Sequence, residues 1–320
     1  MSNVLHIVAS CAQTKAVVVP RALQLRSVPR VAAKARVQLW AKQRDAAHAA
    51  AGPAQGLYSG TYWANVRRLV DRAAGVGYSV KLWIASAGYG LVAGDEPVKP
   101  YSATFAPYSK DSVCAEGLSR ELRIHHWREW WEGLARHRRE TQHPRSVAEL
   151  ARRNGGASLL VLAGPAYVQA MRDDLYAGAG ILEERFVLVT SSEEHLAVGF
   201  DRNVIPSEAR WVGKVGGALP TLHARVAEHI IAKSRGRALD SGKLRDYALG
   251  VLSKQPAWEM PQREKMSDHQ VVAFIRRKLR RDQSATHTRL LRELRSSGQA
   301  CEQKRFKQLF HSLVETRHVS

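Results

Sequence analysis

Four short apolar runs, each closed by small polar residues or glycine, constrain this 320-residue chain more than any other feature. They are "LHIVASC" (5–11), "YSVKLWIAS" (78–86), "SLLVLAG" (158–164) and "RFVLVTSS" (185–192). Continuous apolar runs of this length read as strands covered on both faces, which is the habit of parallel sheets. Between them lie stretches with helical spacing and helical punctuation. Residues 31–50 are rich in Ala, Lys and Arg and are broken by "GPAQGLYSG". Residues 61–74 carry Trp63, Val66 and Val70 on one side, and 116–138 carry Trp127, Trp130 and Trp131. The stretches at 144–156 and 165–180 both open on Pro and close on Gly, as helices do. Leu219, Leu222, Val226 and Ile230 mark a further helix at 218–233. The alternation predicts an α/β domain with a mostly parallel four-stranded sheet flanked by helices. Ligands of such sheets bind beyond the carboxyl ends of the strands, here Ser10–Cys11, Ser86, Gly164 and Ser191–Ser192.

The pattern changes after residue 235. Residues 236–320 hold 18 Lys/Arg against 9 Asp/Glu and show no strand signal. The expected organisation is therefore an α/β domain at 1–235 and a basic helical domain at 236–320. In "DHQVVAFIRRKLRR" (268–281), Val271, Ile275 and Leu279 share one face, leaving Arg276, Arg277, Lys278, Arg280 and Arg281 for a polyanion. Residues 285–315 read as helix, short turn at Gly298, helix, with Lys304, Arg305 and Lys307 early in the second helix. That spacing suits a helix-turn-helix. The ordinary alternative is a helical hairpin with solvated charges. The net charge of +20 favours a polyanionic partner, and double-stranded DNA is the expected one. No run approaches the roughly 18 apolar residues of a membrane span, and no positive leader precedes the first strand. A cytoplasmic protein without membrane contact or an obligate protein partner is expected. Cys11, Cys114 and Cys301 form no disulfide or zinc spacing, and His195 and His223 are isolated, so no metal is expected. The glycine patterns of nucleotide-triphosphate and dinucleotide sites are missing, so no cofactor is expected either.

Three segments carry candidate chemistry. "SCAQTK" places Ser10, Cys11, Gln13 and Lys15 at the end of the first strand, where backbone N–H groups and a lysine suit a phosphate or a base. Cys11 is a candidate nucleophile there, although a cysteine at a strand end is more often just a small buried residue. "LYSGTYW" offers Tyr58 and the turn glycine Gly60 before a helix. "IASAGYGLVAGDEPVKPYSATF" (84–105) reads as a long irregular loop after Ser86. Gly88 and Gly90 permit close approach to a ligand, and Tyr89, Tyr101 and Phe105 offer ring faces. Asp95 and Glu96 are the nearest acids. A flipped base needs rings, polar groups for its edge and a carboxylate near the sugar, and this segment holds all three. The common alternative is that such tyrosines only pack the loop.

Taken together, "SCAQTK", "LYSGTYW", "WIASAGYGLVAGDEPVKPYSATF" and "LLVLAGPAYVQAM" resemble a bacterial domain family related to the uracil-DNA glycosylase superfamily fold. More distant likenesses are to peroxide-stress proteins and to domains associated with 7-deazaguanine transglycosylases. The similarity spans about residues 4–200 and leaves out the basic tail. The uracil-specific water-activating Asp and stacking Tyr after the first strand are replaced by Ser10–Lys15, so uracil is not the expected base. The resemblance implies a DNA glycosylase of the anti-phage kind, which flips a modified base such as glucosylated hydroxymethylcytosine and hydrolyses its N-glycosidic bond. The resemblance carries over no catalytic residue. From the segments themselves the candidates are Asp95 or Glu96, to stabilise the sugar cation or orient water, with Lys15 as the alternative, a nucleophile giving lyase activity. Ser10, Cys11, Gln13, Tyr58, Gly60, Ser86, Gly88, Tyr89, Gly90, Tyr101 and Phe105 are the candidate substrate contacts. The alternatives are 7-deazaguanine base exchange and a non-enzymatic DNA-binding regulator or sensor.

Overall fold

β1 (Val4–Ser10) is buried from Leu5 to its end because both of its edges are paired and both of its faces are covered. The computed structural model describes residues 3–138, 141–191, 201–260 and 262–317. They divide into two compact units, 1–256 and 257–320.

The first unit is an α/β fold with a mainly parallel central sheet. Its strands are β1, β3 (Ser79–Ser86), β4 (Gly90–Ala93), β6 (Ser158–Leu162), β7 (Phe186–Thr190) and β8 (Val204–Pro206), in the spatial order β4-β3-β1-β6-β7-β8. Two further short strands, β2 (Gly52–Pro53) and β5 (Pro97–Val98), pair with each other outside this sheet. All neighbours in the main sheet are parallel except β3 and β4. The register sets Ala9 beside Ile84 on one side and Leu162 on the other, so the ends of β1, β3 and β6 lie level. The chain leaves β1 to one side for β3 and returns to its other side for β6. That reversal makes the β1–β6 boundary the topological switch point, the place where ligands of such sheets bind.

Helices cover both faces. α2 (Thr61–Gly75) and α8 (Leu222–Ser234) pack together on one side, with α9 (Ser241–Leu252) against β8. On the other, α1 (Ala33–Ala46) packs on α3 (Arg120–Arg136), α3 on α5 (Pro165–Ala170), and α4 (Val147–Arg153) on α6 (Arg172–Leu182). A short α7 (Val212–Val215) precedes α8.

In the first unit the structure differs from the sequence reading in four places. The main sheet has six strands rather than four, because β4 and β8 are only four and three residues long. The stretch expected as an irregular loop is partly a hairpin: Ala87–Gly88–Tyr89 turns β3 back into β4, with Gly90 at φ +79°. The helix expected over 165–180 is broken at Met171 into α5 and α6. The boundary falls at 256/257 rather than 235/236, because Leu239, Leu244, Ala248 and Leu252 belong to the first core. Ser192 and His195 lie outside the described residues.

The second unit has its own core of Val271, Ile275, Leu279, Leu290, Leu291, Leu294, Phe306 and Phe310. It is built from α10 (Asp268–Arg281), α11 (His287–Ser296) and α12 (Gln303–Arg317). Ser267 and Gln270 close a reciprocal cap at the start of α10. The tail also contains strands that its sequence did not signal: β9 (Glu264–Lys265) pairs in parallel with β10 (Gln299–Ala300).

Candidate functional site

The first turn after β1 is clipped onto the segment before α2. Lys15 bridges to Tyr58, Ala16 N–H donates to the Leu57 carbonyl at 2.9 Å, and Ser59 N–H donates to Thr14 at 3.2 Å. Gly60 caps α2 at φ +87°, a conformation that favours glycine. "SCAQTK" and "LYSGTYW", far apart in sequence, thus form one wall at the carboxyl end of the sheet.

Four tyrosines converge there. The Tyr58 and Tyr101 hydroxyls are 3.1 Å apart, and Ser86 Oγ donates to the Tyr101 hydroxyl at 2.7 Å. Tyr62 meets Ser10 Oγ at 3.1 Å, and the Tyr167 hydroxyl meets Cys11 Sγ at 2.9 Å. Phe105 stands edge-on to Tyr167, with ring centroids 4.9 Å apart. Burial holds the phenols of Tyr58, Tyr62, Tyr101 and Tyr167 above their ordinary range, so at neutral pH all four remain O–H donors.

Lys15 is the cation in this cluster. Its Nζ lies 4.8 Å from the Tyr58 ring centroid and 4.7 Å from that of Tyr101, and donates to the Ala12 carbonyl at 2.5 Å. Among the described residues, no carboxylate forms an ion pair with it. Burial pushes its pKa down, with partial compensation from Cys11. A partly desolvated amine between ring faces is the type of lysine that becomes nucleophilic.

The other sequence-derived residues take different places. Gln13 reaches Thr104 Oγ1 at 3.3 Å on the exposed rim. Gly88 lies under Tyr101, where a Cβ would come within 2.4 Å of the ring. Tyr89 packs edge-on against Tyr101 from behind the cluster, with ring centroids 5.3 Å apart. Its hydroxyl bonds the Lys99 backbone, and the Arg44 guanidinium lies 4.6 Å from its ring centroid.

Asp95 and Glu96 are not beside the cluster. β4 runs antiparallel to β3 and carries them back alongside Leu82, since Gly94 N–H donates to the Leu82 carbonyl. That is four residues from Ser86, roughly 13 Å at 3.3 Å per residue. Asp95 is exposed and lines a separate cleft of about 510 Å³ with His6, Trp83 and His143. Glu96 pairs with the buried Arg138. Neither acid faces Lys15 or the strand ends, so, contrary to expectation, they are not placed to act on a sugar there.

Tyr62, Tyr167 and His223 were absent from the sequence-derived site. Tyr167 stands just inside a helix that follows a core strand, a placement that could have flagged it. His223, on α8, carried no sequence signal. Its ring is 5.1 Å from that of Tyr62, its Nε2 has no partner among the described residues, and burial lowers its pKa to about 4. It is therefore neutral at pH 7.

In the second unit Arg276, Arg277, Arg280, Arg281, Lys304 and Lys307 are exposed. Lys278 pairs with Glu293 at 2.7 Å. Arg305 binds Asp268 at 2.6 Å and the Met266 carbonyl at 3.0 Å, so it braces the fold.

Among the described residues, no group of His, Cys, Asp and Glu is arranged to hold a metal, and no helix is long and apolar enough to cross a membrane. No family model, curated protein or solved structure matches this chain.

Proposed function

We propose that the chain is a DNA glycosylase whose working group is Lys15, acting on a modified base flipped to the carboxyl ends of β1, β3 and β6. The resemblance to the uracil-DNA glycosylase superfamily, and the DNA-binding reading of α10–α12, are parts of this proposal. The observation that carries it is the placement of a desolvated amine between two tyrosine rings at the switch point, away from any carboxylate partner among the described residues. The net charge of +20 supports a polyanionic substrate. In the neutral form, Lys15 Nζ attacks C1′ of the flipped nucleoside. The C1′–N bond breaks, and its electron pair leaves with the base. The proton lost by the attacking amine goes to that base. Opening of the sugar ring at O4′ then gives a Schiff base, which water hydrolyses to an abasic site. Tyrosine hydroxyls of the cluster donate to the base edge or to a sugar attached to it.

Borohydride tests this directly. Incubation with DNA carrying hydroxymethylated or glucosylated cytosine is expected to give a covalent protein–DNA adduct. Lys15→Ala is expected to abolish the adduct, whereas Asp95→Asn leaves it. The lowered pKa places the half-point of the trapping rate below the ordinary lysine value of 10.5, with trapping faster as pH rises towards it. Abasic product from Lys15→Ala at the parent rate would reject this role for the lysine. No abasic product from any modified DNA would reject the glycosylase reading and leave the sensor reading.

A further inference from the structure

Beside the tyrosine cluster, α2 and α8 enclose a second feature that the chemistry above does not use. Arg68, Arg72, Lys214, Val215, Arg225, Glu228, His229 and Ala232 line a cleft of about 400 Å³. Four of these residues are permanent cations and one is an acid. Arg68 takes that acid, donating to Glu228 at 3.1 Å. Among the described residues, Arg72, Lys214 and Arg225 have neither an ion-pair partner nor a hydrogen-bond partner for their side chains. The Arg225 Nε is buried and unpartnered. Gly217, at φ +85°, packs onto its guanidinium so closely that a Cβ there would lie 1.8 Å from Nη1. His229 adds no charge at neutral pH, because burial and the nearby Lys214 and Lys233 lower its pKa. Like charges gathered in a cleft repel one another, and a bound anion removes that cost.

The position of the cleft identifies the anion. Tyr62 begins α2 and His223 begins α8, and their rings touch at the strand ends. Arg68 and Arg72 follow six and ten residues along α2, about 9 and 15 Å away at 1.5 Å per residue. Arg225 is two residues along α8 from His223. The cations therefore form a track leading away from the tyrosine cluster. Its length corresponds to roughly four nucleotides of one strand at 3.4 Å each. We infer that the α2–α8 cleft binds the phosphodiester backbone flanking the nucleotide presented to Lys15, a site separate from the basic helices of the second unit. The inference rests on the DNA reading of the tyrosine cluster, but binding can be measured without the chemistry.

The test measures the affinity of the full chain for an unmodified DNA duplex against salt concentration. Each phosphate contact contributes roughly 0.9 to the slope of log affinity against log salt on B-DNA. The triple variant Arg72→Gln/Lys214→Gln/Arg225→Gln is expected to lower that slope by about 2 to 3. A control triple on the opposite face, Lys34→Gln/Lys42→Gln/Arg152→Gln, is expected to change it by less than about 1. Glu228→Gln removes the cleft's only carboxylate and is expected to tighten binding, a gain that misfolding does not produce. Equal slopes for the two triples, or weaker binding by Glu228→Gln, would overturn the assignment. Failure of the glycosylase reading appears instead as a missing borohydride adduct and leaves the slope difference in place.

Discussion

Glu96 shows how far proximity along a chain can mislead. It lies ten residues after Ser86 in sequence, yet its carboxylate faces Arg138 at the sheet edge. The Arg138 side chain is only 4% exposed and also donates to the Leu91 and Pro144 carbonyls. Removing one member of such a pair strands the other charge. Glu96→Gln is expected to cost about 3 kcal/mol in a urea melt and to leave borohydride trapping per folded molecule unchanged. Unchanged stability with lost trapping would restore Glu96 to the chemistry. The residues legible in the sequence were those fixed by strand ends. Ser10, Cys11 and Ser86 are found at the cluster because a core strand dictates where its end points, and Lys15 and Tyr101 join them through the turns that follow. The two acids were not legible, since an unrecognised hairpin reversed the chain between them and Ser86. His223 was illegible for a different reason: nothing local to α8 marks which of its residues meets α2.

At the scale of elements, the turn between β3 and β4 is the joint on which the tyrosine cluster depends. The Gly88 carbonyl accepts from Trp40 Nε1 at 2.8 Å and Arg44 Nη1 at 3.0 Å, and the Ala87 carbonyl accepts from Trp130 Nε1 at 2.8 Å. Ser86 Oγ accepts from the Gly88 and Tyr89 amides at 3.2 and 3.0 Å. α1 therefore serves a purpose that its composition concealed. Nothing in a stretch rich in Ala, Lys and Arg marks which cations are buried, yet Arg36 and Arg44 are buried and tie down loop carbonyls. The four long strands were readable because apolar runs of five to eight residues that end in small polar residues or glycine have few other uses. β4 and β8 were not, because so short a strand has no period to detect and its turn lacks the Asn-Gly or Asp-Gly signal of tight hairpins. The joint can be tested at Gly88. Gly88→Ala drives a methyl group into the Tyr101 ring and shifts its hydroxyl away from Ser86 and Tyr58. The expected cost is about 1–3 kcal/mol by urea melt, together with slower trapping by Lys15. A variant with parent stability and parent trapping would show that the cluster does not depend on this turn.

For the whole molecule, the two hydrophobic cores determine where the chain can be cut. Composition alone placed the change at residue 235, because the charge rises there. Burial places it at 256, because α9 closes the core beside β8. Leu239, Leu244 and Leu252 are all buried, and each contributes about 2 kcal/mol, so losing the three removes on the order of 6 kcal/mol. Domain stabilities are only about 5–15 kcal/mol, so that loss is decisive. A fragment ending at Pro256 is expected to melt cooperatively near the parent temperature. A fragment ending at Arg235 is expected to lack a cooperative transition by calorimetry. Charge divides along the same line: residues 257–320 hold 14 Lys/Arg against 7 Asp/Glu. If the exposed cations of α10 and α12 contact phosphates, the 1–256 fragment binds duplex DNA with a shallower salt dependence than the full chain. It also keeps the contribution of Arg72, Lys214 and Arg225. An unchanged slope in that fragment would assign all phosphate contact to the α/β unit and would reduce the C-terminal helices to a solvated appendage.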